Sequence, residues 1–577
     1  MVKLHRRIRT PRPSRIQENE WTQSALIVLR ERYLRKDLHG SVIESPRQLF
    51  ERVAGAIAAV EKPRIREQFR ERFFESMVSG SFLPNSPTLM NAGKPGGQLS
   101  ACFVLPVADS LESIFETLKQ SALIHQSGGG TGFSFSRLRS KGSLVKSTHG
   151  IASGPVSFIR IYDTATETVK QGGVRRGANM AVLRVDHPDV FEFVDSKRDL
   201  RSITNFNLSI GITEDFMEAV RTRGSFKLRN PQDGRVVRQI GASDLLDRIV
   251  DSAWSCGDPG LLFLDRINLF NPTPVHGAME ATNPCGEQPL LPHESCNLGS
   301  INVSKFQLGT GLDWDALGSM VDTAVRFLDN VVETNHYPVE ACQRVTLANR
   351  KIGLGVMGFA DLLLALGIPY DSDQARSLGE VLMSFIDRRG KSASVALAKQ
   401  RGPFARFSSS MWARLGFPEM RNATVSTVAP TGTISMIAGC SSGIEPIFAA
   451  SFERHVLDGK VLHEIHPAVE KAFRAVGGSG AMTEARLRSL LGDAWVTARD
   501  LSVDAHIRMQ AVFQRHCDSA VSKTINLPES ATREDVKRAY LQAYALGCKG
   551  ITVYRDQSRP AQVLQSVRDE SCEVCAD

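Results

Sequence analysis

The segment Thr282-Asn283-Pro284-Cys285-Gly286-Glu287 brings an amide, a thiol and a carboxylate together in one short stretch of the chain. Pro284 disfavours helical backbone at the residue before it. If the stretch is extended, Asn283, Cys285 and Glu287 point to the same side, because strand side chains alternate. A thiol can act by one-electron chemistry, a carboxylate can take a proton and an amide can orient a hydroxyl. On spacing alone, a buried structural cysteine beside a turn is the commoner explanation.

Other segments carry residues of the same kinds, and each is weak evidence by itself. Ser100-Ala101-Cys102-Phe103-Val104-Leu105-Pro106 and Ser295-Cys296-Asn297-Leu298-Gly299 supply two more cysteines, and residues 171–177 and 547–555 are rich in glycine and basic side chains. Pro430-Thr431-Gly432-Thr433-Ile434-Ser435 is rich in hydroxyl groups and backbone donors. If it opens a helix, its N–H groups form an anion site, although a plain turn held by serine and threonine side chains is commoner.

Together, and in this order along the chain, these segments resemble the catalytic subunit of ribonucleotide reductase. The similarity runs from about residue 81 to residue 556 and is closest to the adenosylcobalamin-dependent (class II) enzymes of the dimeric type. The resemblance implies an α/β fold: a ten-stranded α/β barrel, made of two antiparallel halves of five parallel strands, with a central finger loop. The chain is expected to divide into a disordered basic tail (1–19), a helical N-terminal region (20–80), the catalytic barrel (81–555) and a flexible redox tail (556–577).

The sequence of the helical region supports this division. Residues 47–60 carry apolar side chains at helical spacing, and a second helix is expected to open at Pro63 and stop at Gly80. A third helix is expected to start at Asp109.

The resemblance assigns the chemistry to five residues. Cys285 would carry a transient thiyl radical that abstracts the 3′-hydrogen of a ribonucleotide. Glu287 would take the proton of the 3′-hydroxyl, and Asn283 would hold the sugar hydroxyls. Cys102 and Cys296 would supply two electrons and a proton as the 2′-hydroxyl leaves as water, and would end as a disulfide. The substrate-binding positions implied are Ser86, Ala101, Cys102, Gly130, Asn283, Pro284, Cys285, Gly286 and Glu287, with Pro430, Thr431, Gly432, Thr433 and Ile434 at the phosphate.

The pair Cys572 and Cys575 near the end of the chain is a candidate redox shuttle. A CxxC pair on a flexible tail suits thiol–disulfide exchange with the active-site disulfide. A thioredoxin-like reductant would then reduce the tail again. Half of a zinc site is the alternative, but zinc normally takes four ligands, and the sequence offers no second CxxC or nearby histidine. No metal-binding residues are predicted.

The radical source is inferred from the family. Its class I members use a Tyr-Tyr pair near the C-terminus, whereas residues 551–556 here are Ile-Thr-Val-Tyr-Arg-Asp, and the glycyl-radical segment of the anaerobic class is also missing. These absences leave adenosylcobalamin as the expected cofactor. The Asp-x-His-x-x-Gly motif of cobalamin proteins is absent, because Asp504-Ala505-His506 lacks its glycine.

Dimeric relatives bind deoxynucleoside triphosphate effectors at the subunit interface, so we expect a homodimer. By position, Asp109, Arg139 and Lys146 would bind the effector, and Arg175, in the glycine-rich segment 171–177, would pass the signal to the substrate base. Asp109 is equally well explained as the cap of the helix that follows, because Asp109-x-x-Glu112 is similar to a capping box.

Charge, hydropathy and cysteine content bear on which partners and which cellular compartment the protein has. The net charge of +8 comes mostly from six basic residues within the first 16, so a nucleic-acid role is disfavoured. No apolar run is long enough for a membrane helix, and the ten widely spaced cysteines fit reduced thiols in the cytoplasm. The substrates expected are ribonucleoside diphosphates. The alternatives are a class I large subunit and a noncatalytic nucleotide-binding regulator with the same fold.

Two glycine-rich stretches have competing explanations. Residues 353–358 match GxGxxG, but a dinucleotide site needs a strand immediately before the motif, so we expect tight backbone packing instead. The run Gly128–Gly132 lacks the Lys-Ser/Thr ending of a phosphate-binding loop and is expected to bring backbone close to substrate.

Overall fold

The computed structural model describes residues 21–144, 150–171, 175–456, 460–558 and 564–566. The helices are α1 Gln23–Val28, α2 Pro46–Ala58, α3 Pro63–Val78, α4 Ser86–Asn91, α5 Leu111–Gln126, α6 Pro155–Thr168, α7 Val190–Asp195, α8 Glu214–Arg221, α9 Ala242–Cys256, α10 Leu264–Leu269, α11 Trp314–Thr334, α12 Glu340–Asn349, α13 Phe359–Ala365, α14 Asp373–Arg401, α15 Met411–Arg414, α16 Ile434–Ala438, α17 Pro467–Ala475, α18 Glu484–Leu491, α19 Val503–Gln514 and α20 Arg533–Ala545. The strands are β1 Phe82–Pro84, β2 Cys102–Pro106, β3 Gly130–Ser134, β4 Lys170–Gln171, β5 Arg175–Arg176, β6 Asn179–Arg184, β7 Phe206–Ile212, β8 Ser225–Arg229, β9 Val236–Gly241, β10 Gly260–Phe263, β11 Ala281–Thr282, β12 Pro289–Leu290, β13 Glu294–Asn302, β14 Gln307–Leu308, β15 Gly311–Leu312, β16 Ile352–Met357, β17 Ser451–Val456, β18 Lys460–Ile465, β19 Thr524–Leu527, β20 Gly550–Arg555 and β21 Leu564–Ser566.

The two helices predicted in the N-terminal region are present, as α2 and α3. Ser45 caps α2 in a capping box with Gln48, and Pro46 occupies the first turn, where its missing N–H costs nothing. Pro63 opens α3 as expected, and α3 ends two residues before Gly80. The apolar face of α2 is buried against the second half of the sheet and its helices, so the N-terminal helices share one core with the strands.

Ten strands form the main sheet, and five of them make a parallel half. The strands β2, β3, β6, β7 and β10 run parallel in that order. Helices packed outside this half share its core, so each strand is buried on both faces, as parallel strands in α/β proteins are. The half is flanked by strands of opposite direction: β13 pairs antiparallel with β2, and β20 pairs antiparallel with β10.

The second half contains the parallel pairs β13–β16 and β19–β20. The named strands leave an opening between β16 and β19. The extended segment 424–428 lies in this opening, with isolated parallel bridges from Ser426 to Leu354 and from Val428 to Val521. The predicted α/β fold of two antiparallel halves is confirmed. One difference is that the tenth strand of the sheet is β1, which pairs with β13, while segment 424–428 takes the place of a regular fifth strand.

The interior between the two halves holds the short hairpin β11–β12. Side chains from both halves pack around it and form a small inner core that includes Cys102, Met180, Leu262 and Cys296. The loop that joins β11 to β12 is residues 283–288, so the segment with which the sequence analysis began is the central finger loop.

Close backbone packing explains residues 353–358, which form β16 and the residue after it. A Cβ at Gly355 would overlap the carbonyl of Thr427, and one at Gly358 would overlap the side chain of Asn302. These glycines are therefore needed because neighbouring chain segments approach closely here, as predicted for the GxGxxG match at residues 353–358.

Within the described ranges, no helix is both long and apolar enough to cross a membrane. Three residues of the predicted flexible tail form strand β21, which pairs with β17. The basic tail 1–19 and the cysteine pair at 572 and 575 lie outside the described residues.

Candidate active site

The finger loop is a tight turn, so the extended backbone that would place all three side chains on one side is not present. The N–H of Gly286 donates to the carbonyl of Asn283 at 3.1 Å, which closes a β-turn over residues 283–286. Asparagine, proline and glycine at the first, second and fourth positions suit a type I turn. Cys285 is therefore exposed at the tip, while Asn283 and Glu287 are buried on either side. The three side chains are grouped by the turn and not by strand alternation.

Contacts from both halves of the sheet fix the loop. A Cβ at Gly132 would overlap the carbonyl of Thr282, and one at Gly130 would lie 2.9 Å from the ring of Pro284. The glycine run on β3 thus makes room for the finger loop. Asn207 on β7 donates its amide to the carbonyl of Pro284 at 2.8 Å, which holds the turn from the parallel half.

The other end of the loop is held by the second half. The carbonyl of Glu287 accepts hydrogen bonds from the N–H of Ala520 at 2.9 Å and from the hydroxyl of Thr427 at 3.1 Å. The side chain of Asn283 also accepts from the N–H of Gln288 at 3.0 Å. The backbone on which Glu287 sits is therefore fixed, which is the condition for a precisely placed proton acceptor.

Glu287 is a buried carboxyl group. Burial raises the pKa of Glu287 from 4.5 to about 7, and hydrogen bonds from the side chain of Asn283 and from backbone offset part of this rise. Among the described residues, no group bonds its Oε2 atom. A carboxyl group with a pKa near neutrality can accept and return a proton at physiological pH, as a general base requires.

Cys102 and Cys296 face each other across the junction of the two halves. They are direct partners in the antiparallel pairing of β2 with β13. Partners of this kind have Cα atoms about 4.5–5.5 Å apart, which lies within the range that a disulfide needs. Both are free thiols and fully buried. The sequence prediction that these two distant cysteines meet is consistent with this register.

Burial and nearby charged groups raise the pKa values of Cys102 and Cys296. Burial raises the pKa of Cys102 well above 9.0, and the nearby charges of Glu287, Cys296 and Cys285 raise it further. Burial likewise raises the pKa of Cys296, although the cation of Lys351 opposes the rise. Both groups are therefore held as neutral thiols.

The predicted phosphate segment forms a loop before the short helix α16. Thr431 has a left-handed backbone, with φ of 50°, and its hydroxyl accepts from the N–H of Gly443 at 2.8 Å. Pro430 and Gly432 are exposed and Thr433 is half-buried, so a ligand can reach the loop. Ser86, another predicted substrate contact, starts α4 and is hydrogen-bonded to the hydroxyl of Tyr33 at 2.7 Å.

A cavity of about 900 Å³ opens at the finger loop. Pro284, Cys285 and Gly286 form one wall, and β17, β18, β19 and β20 contribute to the others. Four lining side chains, Ser441, Glu464, His466 and Gln510, each carry a buried polar atom that has no hydrogen-bond partner within the described part of the chain. The reactive cysteine therefore faces a space large enough for a polar ligand.

The structure describes three of the four residues predicted to bind or relay the effector, namely Asp109, Arg139 and Arg175. Asp109 and Arg139 meet: Asp109 accepts from the backbone N–H of Arg139 at 3.0 Å and from its Nε at 2.8 Å. Lys146 lies outside the described residues, and Arg175 is in the short hairpin β4–β5. The prediction that Asp109 starts and caps a helix is wrong. The side chain of Ser110 caps α5, which leaves the carboxylate of Asp109 to Arg139.

Sequence reasoning missed several residues that support the site. Tyr33, Asn207 and Thr427 have no motif, and only the fold brings them to the loops they hold. A buried ion pair of Lys351 with Glu294, at 2.8 Å, lies behind Cys296 and was missed for the same reason. Within the ranges that the structure describes, no three histidine, cysteine, aspartate or glutamate side chains are grouped so that they could hold a metal ion.

Comparison with known proteins agrees with this geometry. Residues 20–97 match the family model of the all-alpha domain of ribonucleotide reductase, and residues 100–419 and 417–554 match the model of its barrel domain. The chain is 48% identical to a vitamin B12-dependent ribonucleoside-diphosphate reductase of Thermoplasma acidophilum, over 94% of this chain and 80% of that protein. It is also 48% identical to a protein of the same name from Mycobacterium tuberculosis, with 96% and 82% covered. A vitamin B12-dependent ribonucleotide reductase of Streptomyces coelicolor is 30% identical, with 95% and 66% covered.

The chain belongs to the ribonucleotide reductase family. The resemblance drawn from the sequence segments, and its closeness to the class II members, is thereby confirmed.

Proposed function

We propose that this protein is a ribonucleoside-diphosphate reductase that makes 2′-deoxyribonucleotides, the precursors of DNA, by thiyl radical chemistry with adenosylcobalamin. One observation carries the proposal: an exposed cysteine at the tip of the finger loop stands beside a buried carboxyl group and a facing pair of thiols. A noncatalytic regulator has no physical need for this set of groups. The cytoplasm, a reducing compartment, suits an enzyme with a facing pair of free thiols.

The residues divide the reaction between them. Cys285, as a thiyl radical, takes the 3′-hydrogen of the ribose and later returns it. Glu287 takes the proton of the 3′-hydroxyl, for which a pKa near 7 is suitable. Cys102 and Cys296 give two electrons and two protons: one proton leaves with the 2′-hydroxyl as water, the other goes with the electrons to C2′, and the two sulfur atoms become joined as a disulfide. Raised thiol pKa values keep both as S–H donors until then.

Adenosylcobalamin supplies, when bound, the radical that activates Cys285. The cavity at the finger loop suits such a group, because its wall includes Cys285 and four side chains whose buried polar atoms have no partner among the described residues. Ser441, His466 and Gln510 would hold the cofactor through these atoms. The homologous proteins named as vitamin B12-dependent support the same assignment.

The active form is proposed to be a homodimer that binds deoxynucleoside triphosphate effectors. Apolar side chains are exposed on the adjacent helices α5 and α6, namely Leu111, Phe115, Leu123 and Ile161. Such an apolar strip is typical of an interface. Asp109 lies just before α5 and is hydrogen-bonded to Arg139. The effector site proposed for these two residues, together with Lys146 and Arg175, would therefore be next to this interface.

Re-reduction is assigned to the tail. Cys572 and Cys575 would exchange with the disulfide of Cys102 and Cys296, and a thioredoxin-like protein would reduce the tail in turn. The proposed domains follow from these roles: a helical region over 20–80, a catalytic barrel over 81–555 and a redox tail over 556–577.

The test is deoxynucleotide formation from ribonucleoside diphosphates with dithiothreitol, with and without adenosylcobalamin. We expect turnover only with the cofactor, and none from Cys285→Ser. The matched control is Cys342→Ala, which removes a buried thiol from the core of the parallel half and should keep most of the activity. Nucleotide binding by Cys285→Ser, measured by calorimetry, should be unchanged.

Other outcomes separate the alternatives. Turnover that needs a radical-generating partner protein instead of adenosylcobalamin would identify a class I subunit. Nucleotide binding without turnover under either condition would favour the noncatalytic regulator. Full activity of Cys285→Ser would contradict the assignment of the thiyl radical to the finger loop.

A further inference from the structure

Arg32 is joined to the predicted phosphate loop by a single long contact. It lies in a π-helical turn, Leu29–Tyr33, that continues α1. One nitrogen of its guanidinium group, Nη1, donates to the hydroxyl of Thr433 at 3.5 Å, the upper limit for a hydrogen bond. Its Nε atom is buried and has no hydrogen-bond partner among the described residues.

An unused buried donor of this kind is costly. Leaving a buried polar group without a partner is destabilising, because the group has given up its hydrogen bonds to water. Arg52, in the neighbouring helix α2, shows the usual solution: it donates to both carboxylate oxygens of Glu44, at 2.7 and 3.0 Å, and to a backbone carbonyl. No carboxylate pairs with Arg32 within the described part of the chain, so its fork-shaped donor set is available to a ligand.

The phosphate loop needs a cation from elsewhere. Residues 429–443 contain no lysine or arginine. Helix α16 has only five residues, so its dipole alone is a weak partner for a diphosphate. In the described chain, Arg32 is the one cation that is hydrogen-bonded to the loop 430–434.

The turn that carries Arg32 is firmly seated. Its neighbours Leu29 and Tyr33 are buried, at 0% and 1% exposure, and α1 packs against α16. Tyr33 reaches Ser86, a second predicted substrate contact, at 2.7 Å. One turn of the N-terminal region thus contacts two of the predicted substrate-binding positions, Ser86 and Thr433.

We propose that Arg32 binds the diphosphate of the substrate and so makes the N-terminal helical region part of the substrate site. The proposal rests on the proposed function, since it takes the loop 430–434 as the phosphate site. The guanidinium group matches phosphate geometry and can donate two parallel hydrogen bonds. Arg32 acts in binding only, because it has no place at the reacting ribose.

The test compares Arg32→Gln with Arg30→Gln. Arg30 is in the same π-helical turn but is exposed, so its variant removes an equal charge away from the loop. A charge-assisted hydrogen bond corresponds to about ten- to a hundredfold in affinity. We expect Arg32→Gln to raise KM for cytidine diphosphate by that factor, with kcat within about twofold of the wild type. Arg30→Gln should leave both constants unchanged.

A second measurement does not depend on turnover. Calorimetry with inorganic pyrophosphate should show the same loss of affinity in Arg32→Gln and none in Arg30→Gln. Arg32→Lys keeps the charge but loses the Nε donor, so we expect an intermediate KM. If Arg32→Gln does not fold, as judged by circular dichroism, an unchanged KM in Arg32→Lys overturns the proposal.

The outcomes keep the two proposals apart. If the wild type reduces diphosphates and Arg32→Gln has the same KM as Arg30→Gln, the role of Arg32 is wrong and the proposed function stands. If kcat falls while KM is unchanged, Arg32 is structural and does not bind phosphate. If the wild type gives no turnover, the proposed function fails, and pyrophosphate binding still decides whether Arg32 is part of an anion site.

Discussion

Replacing Glu287 with glutamine should stabilise the protein, and the gain should grow with pH. The folded protein raises the pKa of this carboxyl from 4.5 to about 7 because it buries it. A folded pKa above the unfolded value means that folding disfavours the ionised form. Stability is therefore greatest below about pH 4.5 and is lost as the pH rises through about 7.

The size of the effect follows from the two pKa values. A difference between 4.5 and about 7 corresponds to about 3 kcal/mol when the carboxyl is ionised in both states. Between pH 5 and pH 8 the wild type should lose about 2.5 kcal/mol through this group. Glutamine has no charge to bury, so Glu287→Gln avoids this loss.

The assay is urea unfolding of wild type and Glu287→Gln at pH 5, 6.5 and 8. Any cost of the new amide is the same at each pH, so only the change in the difference between the two proteins matters. Glu419→Gln is the matched control, because it makes the same chemical change at an exposed position. A difference for Glu287→Gln that is equal at pH 5 and pH 8 would refute the argument from burial.

The same pKa also predicts the activity profile. Glu287 must be ionised to take the proton of the 3′-hydroxyl, so kcat/KM of the wild type should fall as the pH drops below about 7. Glu287→Gln should have lost turnover at every pH while being the more stable protein at pH 8. This trade of stability for function is typical of a buried catalytic group.

Two further predictions concern the finger loop and the thiol pair. Gly132→Ala should displace the finger loop, because its Cβ would overlap the carbonyl of Thr282, and both stability and turnover should fall. The control Gly55→Ala lies in α2 with open space around the new Cβ, so thermal unfolding should show a gain of about 1 kcal/mol. A single turnover without dithiothreitol should remove two titratable thiols from the wild type, and Cys102→Ser or Cys296→Ser should show no such loss. Unchanged stability of Gly132→Ala, or an equal thiol loss in the serine variants, would contradict these assignments.

The sequence was sufficient for the parts of the fold and site that depend on local signals. The apolar spacing over residues 47–60 predicts α2, and Pro63 and Gly80 bracket α3. The order of the motif segments implied the barrel and its finger loop. These inferences succeed because caps, apolar periodicity and motif order are all written in neighbouring residues.

The sequence did not predict contacts between residues that are far apart in the chain, nor the direction in which side chains point from a tight turn. Alternation predicted one shared face for Asn283 and Glu287, but the turn closed by Gly286 buries them both and exposes only Cys285. Asp109 fitted a cap until the fold placed Arg139 beside it. Such competition between a local and a distant partner cannot be resolved before the chain is folded.

The distribution of burial among the site cysteines explains how one site can use thiols in two ways. A cysteine that must react with a group in the open cavity has to be exposed, and Cys285 is exposed at the tip of its turn. A pair that must deliver electrons together with a proton has to stay protonated, and burial keeps the pKa values of Cys102 and Cys296 high. Reduction of the Cys102–Cys296 disulfide needs an attacking thiolate from another thiol, and a thiol buried in this site would be held protonated and would attack slowly. A separate dithiol that titrates outside the barrel, as proposed for the tail, meets this need without changing the environment of the reducing pair.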